Sequence, residues 1–107
     1  MESIVTMVLE DEGFLILPTN FTSILKDSIE FKPDLVIISP RLRSCLEITT
    51  LCKQLRLDHH RPELPIIFLS ARFDLKVFAY QCDASAYISK PFEIADLCNT
   101  VKDVLSI

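Results

Sequence analysis

Pro33-Asp34-Leu35-Val36-Ile37-Ile38-Ser39 is the stretch on which the reading of this chain turns. Leu35 to Ile38 is an unbroken run of branched apolar side chains. A strand with one wet face alternates apolar with polar residues, whereas one covered by helices on both faces stays apolar throughout. Pro33 and Asp34 mark the entrance and Pro40 the exit, so a buried strand is predicted from Asp34 to Ser39.

Outward from this strand, strands and helices alternate. Leu64 to Ser70 reads as a second buried strand, Ala86 to Ser89 as a short one, and Phe14 to Leu17 as another closed by Pro18. Glu2 to Glu12 carries Ile4, Val5, Val8 and Leu9 at helical spacing and runs into Gly13, the only glycine, suited to a left-handed turn after a helix. The same stretch is rich in β-branched residues, so strand for residues 3–9 stays open. Asn20 is the predicted cap of a helix with Phe21, Ile24, Leu25 and Ile29 on one face. Ser44 caps the next, to about Leu55, with Ile48, Leu51, Cys52 and Leu55 inward. Asp74 opens a helix burying Leu75, Phe78, Ala79 and Cys82. The last helix, Glu93 to Ser106, has the clearest stripe: Ile94, Leu97, Cys98, Val101 and Leu105. The expected architecture is one α/β domain over residues 1–107, a mostly parallel sheet between two helical layers with right-handed crossovers. In such sheets ligands gather where strand C-termini open into loops, here Ser39, Ser70 and Ser89-Lys90.

Composition narrows the function. A net charge of −4 disfavours nucleic acid and anionic membrane as partners. No apolar run approaches the roughly 20 residues of a membrane span and the N-terminus has no signal-like block, which points to a cytoplasmic protein. Cys45, Cys52, Cys82 and Cys98 lack the paired spacing of zinc or redox sites and read as reduced thiols, mostly buried. His59 and His60 are adjacent, so their side chains diverge, and they read as solvated loop residues. No glycine-rich phosphate loop and no nucleophile beside a base is readable, so neither an enzyme nor a cofactor is expected.

From Gly13 onward the order of pieces resembles the receiver domain of two-component response regulators, a flavodoxin-like three-layer α/β/α module. PDLVIIS is similar to its third strand, whose final residue in a working receiver is the phosphorylated aspartate; Ser39 occupies that position here. PIIFLSA, Pro65 to Ala71, is similar to the fourth strand and puts Ser70 at its hydroxyl position. YISKPF resembles the fifth strand, with Lys90 as the phosphate-binding amine, Tyr87 as the switch aromatic, and Pro91 and Phe92 completing the interaction segment. The resemblance implies a cis Lys90-Pro91 peptide. Asp83 stands where the family usually has glycine, which implies a left-handed aspartate.

Two departures follow. The family opens with a central strand ending in two magnesium-binding acids, and the spacing from Gly13 to Ser39 indicates that this first strand is missing; Glu10, Asp11 and Glu12 lie too near Ser39 to replace those acids. A serine, moreover, cannot form the acyl phosphate an aspartate forms. Phosphoryl transfer to a carboxylate needs that nucleophile and a divalent cation held by hard oxygen ligands, so no metal and no catalytic residue is assigned. The residual pocket of Ser70 and Lys90 suits an anion or a partner's carboxylate. A degenerate receiver is therefore expected in phosphorelay signalling, contacting a protein partner without aspartyl phosphorylation through the fourth helix, Ala86–Ser89 and the last helix. The strand gap is expected to close by pairing Phe14–Leu17 with Asp34–Ser39, by residues 3–9 turning to strand, or across a homodimer. The alternatives are a truncated fragment of a functional response regulator and a small-ligand binder on the same fold.

Overall fold

The computed structural model describes residues 2–40 and 43–106. Its elements are α1 (Glu2–Asp11), α2 (Ile24–Phe31), β1 (Val36–Ile38), α3 (Cys45–Asp58), β2 (Ile66–Ser70), α4 (Leu75–Gln81), β3 (Ala86–Ser89) and α5 (Ile94–Leu105). The strands form one parallel sheet in the order β1-β2-β3, with Val36 opposite Ile66 and Phe68 opposite Tyr87.

β2 is buried along its whole length, as its unbroken apolar run requires. Its side chains alternate between two cores. Ile66 and Phe68 join Ile48, Leu51, Leu55, Leu75 and Phe78 under α2, α3 and α4. Ile67 and Leu69 join Val5, Leu9, Leu97 and Val101 under α1 and α5. The result is the expected three-layer α/β/α arrangement, with each large side chain in the centre contributing about 1.5–3 kcal/mol by leaving water.

Local chemistry sets several boundaries. Ser44 caps α3 in a reciprocal box: its hydroxyl accepts from the Glu47 amide at 3.1 Å, and the Glu47 carboxylate accepts from the Ser44 amide at 3.1 Å. Gly13 takes φ 94° after α1, and Asp83 takes φ 56° after α4, the left-handed aspartate anticipated. The Lys90-Pro91 peptide is cis.

Other expectations are corrected. Phe14–Leu17 is not a strand: it lies outside the sheet and makes no ladder with β1. A strand exists by virtue of its partners, and no strand lies beside this segment among the described residues. For the same reason β1, paired on one side only, is shorter than Asp34–Ser39. Residues 3–9 are helical, so they do not enter the sheet. Asn20 does not cap α2; its carboxamide oxygen accepts from the Ser23 amide at 2.9 Å and organises the turn before the helix, which starts at Ile24. Ile29 faces solvent, and Ser28 takes the buried position instead. α3 continues past Leu55 to Asp58, and Ile94 is exposed at the start of α5. His59 is not a solvated loop residue. It caps α3 and its Nε2 lies 3.0 Å from Ser28 Oγ, whereas His60 is exposed. Arg41 and Leu42, in the loop after β1, fall outside the described residues.

Candidate functional site

The C-terminal edge of the sheet carries Ser39, Ser70 and Lys90. β1 delivers Ser39, β2 ends on Ser70, and β3 leads into Lys90. The Lys90 amide donates to the Ser70 carbonyl at 3.0 Å, which carries the ladder one residue beyond β3. Ser70 is almost fully buried, and its hydroxyl accepts from the Arg72 amide at 3.2 Å, fixing the turn into the next loop. Ser39 differs: its Oγ is buried and has no hydrogen-bond partner among the described residues. The Lys90 side chain is half-buried, and its ammonium makes no hydrogen bond or ion pair among the described residues.

Tyr87, Pro91 and Phe92 part company. Tyr87 is 41% exposed on β3, Pro91 is exposed, and Phe92 turns in to pack against the α1/α5 core. Around Tyr87 in the chain, Val77 and Tyr80 of α4 and Ile94 of α5 are also exposed, Tyr80 at 85%.

Arg72 is the residue that sequence reasoning missed. Its Nε and Nη2 each donate at 2.9 Å to the Asp74 carboxylate, and Nη1 donates to the Arg43 carbonyl at 2.7 Å. The guanidinium also covers the Phe78 ring, 4.3 Å from its centroid. This fork ties the loop after β2 to the loop after β1 and holds the Asp74 carboxyl below its ordinary range. The only sequence signal is an arginine two residues ahead of an aspartate just past a strand.

The donor set at this edge is two hydroxyls and basic side chains. Among the described residues no group of three His, Cys, Asp or Glu side chains is placed to hold a metal ion. Hard divalent cations call for several carboxylate or carbonyl oxygens, which the side chains of Ser39, Ser70 and Lys90 do not supply. No described helix is long and apolar enough to cross a membrane.

Comparison with known proteins agrees with this geometry. The profile of the response regulator receiver domain matches residues 1–102. The alkaline phosphatase synthesis transcriptional regulatory protein PhoP of Bacillus subtilis is 34% identical over 111 aligned positions, covering 97% of this chain and 45% of that protein. The DNA-binding dual master transcriptional regulator RpaA of Synechocystis is 25% identical over 80 positions, 73% of this chain and 33% of that one. The chain thus spans less than half the length of these curated relatives. A crystal structure assigned as a response regulator of Chloroflexus aurantiacus superposes with a TM-score of 0.83 at 26% identity, covering 99% of this chain and 88% of that one. With the fold and the family match in agreement, this chain belongs to the response regulator receiver domain family of two-component signalling.

Proposed function

We propose that this receiver domain works by protein contact without aspartyl phosphorylation. The observation that carries the reading is the buried, unpartnered Ser39 hydroxyl at the end of β1, where a working receiver places its carboxylate. An alcohol there offers neither the acyl-phosphate chemistry nor a metal ligand of the required charge. What the edge keeps is an ammonium on Lys90 with no partner among the described residues and a buried hydroxyl on Ser70. In this reading the domain is not an enzyme and takes no cofactor.

The contact face is α4, β3 and α5, centred on Tyr87. Val77, Tyr80, Tyr87 and Ile94 give it exposed apolar area, the kind of surface from which protein interfaces are built. The partner is a signalling protein in the cytoplasm, or a second copy of this chain; the net charge of −4 argues against nucleic acid. The test is incubation with acetyl phosphate and magnesium followed by intact mass measurement. An unchanged mass is expected, and a stable gain of about 80 Da, one phosphoryl group, overturns the reading.

A further inference from the structure

On one face of the sheet α3 packs against α4. Cys45, Thr49 and Cys52 stand at positions i, i+4 and i+7 of α3, the spacing that puts side chains on one stripe of a helix. Cys82, the residue that ends α4, meets that stripe. The Thr49 hydroxyl lies 3.1 Å from Cys82 Sγ and 3.7 Å from Cys45 Sγ, while Cys45 also donates to the Gln81 side chain at 3.2 Å. Burial raises the Cys82 thiol above its ordinary value, the Thr49 hydroxyl opposes that rise, and the neighbouring Cys45 thiol adds to it. Two sulfurs from separate helices thus meet at one hydroxyl.

Access divides the thiols. Cys45 is partly exposed, whereas Cys82 is 4% exposed and Cys52 only 1%. Cys98 is buried on α5, away from the α3/α4 layer. An oxidant arriving from solvent therefore reaches Cys45 first, and Cys82 is the thiol placed to answer.

We propose that Cys45 and Cys82 form a peroxide-reactive dithiol, which hydrogen peroxide converts to a disulfide joining the start of α3 to the end of α4. Cys45 Sγ attacks one peroxide oxygen; an S–O bond forms, the O–O bond breaks, and the departing hydroxide takes the thiol proton and leaves as water. Cys82 Sγ then attacks the Cys45 sulfenic sulfur. The S–S bond forms as the S–O bond breaks, and the second hydroxide leaves as water with the Cys82 proton. Two thiols have lost two electrons and one peroxide has become two waters. Phe78, Ala79 and Cys82 lie on the buried side of α4, while Val77 and Tyr80 are exposed. The dithiol is thus separate from the Tyr87 face, and its failure leaves the contact reading above in place.

The test adds hydrogen peroxide to the reduced full chain and follows its intact mass. Digestion with trypsin and a glutamate-specific protease then separates Cys45 from Cys52 at Glu47, and Cys82 from Cys98 at Glu93. The expected product is a monomer lighter by about 2 Da, two hydrogens, restored by dithiothreitol and carrying one linked pair, Cys45 with Cys82. Cys52→Ala keeps the linkage, Cys45→Ser abolishes it, and Cys82→Ala stops at a Cys45 sulfenic acid that dimedone traps. In urea the fold no longer selects the pair, and the shorter Cys45–Cys52 loop should win. An unchanged mass, a gain of about 32 Da at Cys45 without linkage, a dimer joined through Cys45, or a bond between another pair in the native chain overturns the proposal. So does Cys45–Cys82 as the sole pair in urea, since the folded approach of α3 and α4 is then not what joins them.

Discussion

Ser39, Ser70 and Lys90 meet at one edge because three parallel strands end there, and each then does something different. Ser70 is spent on a local bond to Arg72, and among the described residues Lys90 has no counter-charge and the buried Ser39 Oγ has no partner. On the proposed reading, a carboxylate placed at the end of β1 would still lack a metal-binding cluster beside it among the described residues. Ser39→Asp is therefore expected to remain unmodified by acetyl phosphate and magnesium, as checked by intact mass. Burial pushes the Cys52 thiol up to about 12, whereas Cys45 is partly exposed and donates to the Gln81 side chain at 3.2 Å. Alkylation of the native chain with iodoacetamide is expected to mark Cys45 well before Cys52, and peptide mapping reads the order. The edge serines and lysine were legible in the sequence because each closes an apolar run. Arg72 was not, because its role depends on how two loops approach each other.

At the scale of elements, the contrast between α3 and Phe14–Leu17 shows what sequence encodes locally. Ser44 and Glu47 sit three residues apart and complete a capping box that needs no other part of the chain. Ser44→Ala is expected to cost about 1 kcal/mol, read as a lower melting temperature. Backbone and side-chain bonds to Ser44 hold the Glu47 carboxyl below its ordinary value of 4.5. A depressed folded value means that its contribution is present above pH 4.5 and fades as pH falls through the folded value. The stability gap between the parent chain and Glu47→Gln should accordingly be open at neutral pH and close in acid, as thermal melts at both will show. Phe14–Leu17 has strand-like composition and alternates half-buried with exposed residues, yet it has no ladder. Its state depends on what stands next to it, which no local pattern reports. Ser28 and His59 make the same point, being distant in sequence and 3.0 Å apart in space.

The whole molecule rests on β2, whose side chains feed both cores while its backbone joins β1 to β3. Phe68 is fully buried and meets Phe78 at a centroid distance of 5.8 Å. Phe68→Ala is expected to cost about 3–5 kcal/mol, a large share of the roughly 5–15 kcal/mol a domain commands. Urea denaturation should show this as a lower midpoint at unchanged slope. The parallel order and the two covered faces were legible because PDLVIIS and LPIIFLS are apolar without alternation. The pairing of Phe14–Leu17 with β1 expected from spacing is not made among the described residues. The chain keeps the receiver framework, and the central proposal is that it works without phosphoryl chemistry at its edge. It is tested most directly by following the ¹⁵N amide signals of Ser39, Ser70 and Lys90 as magnesium and beryllofluoride, a tetrahedral phosphoryl mimic, are added together. The account predicts that these signals stay in place; saturable shifts at all three, with accompanying change at Tyr87, would contradict it.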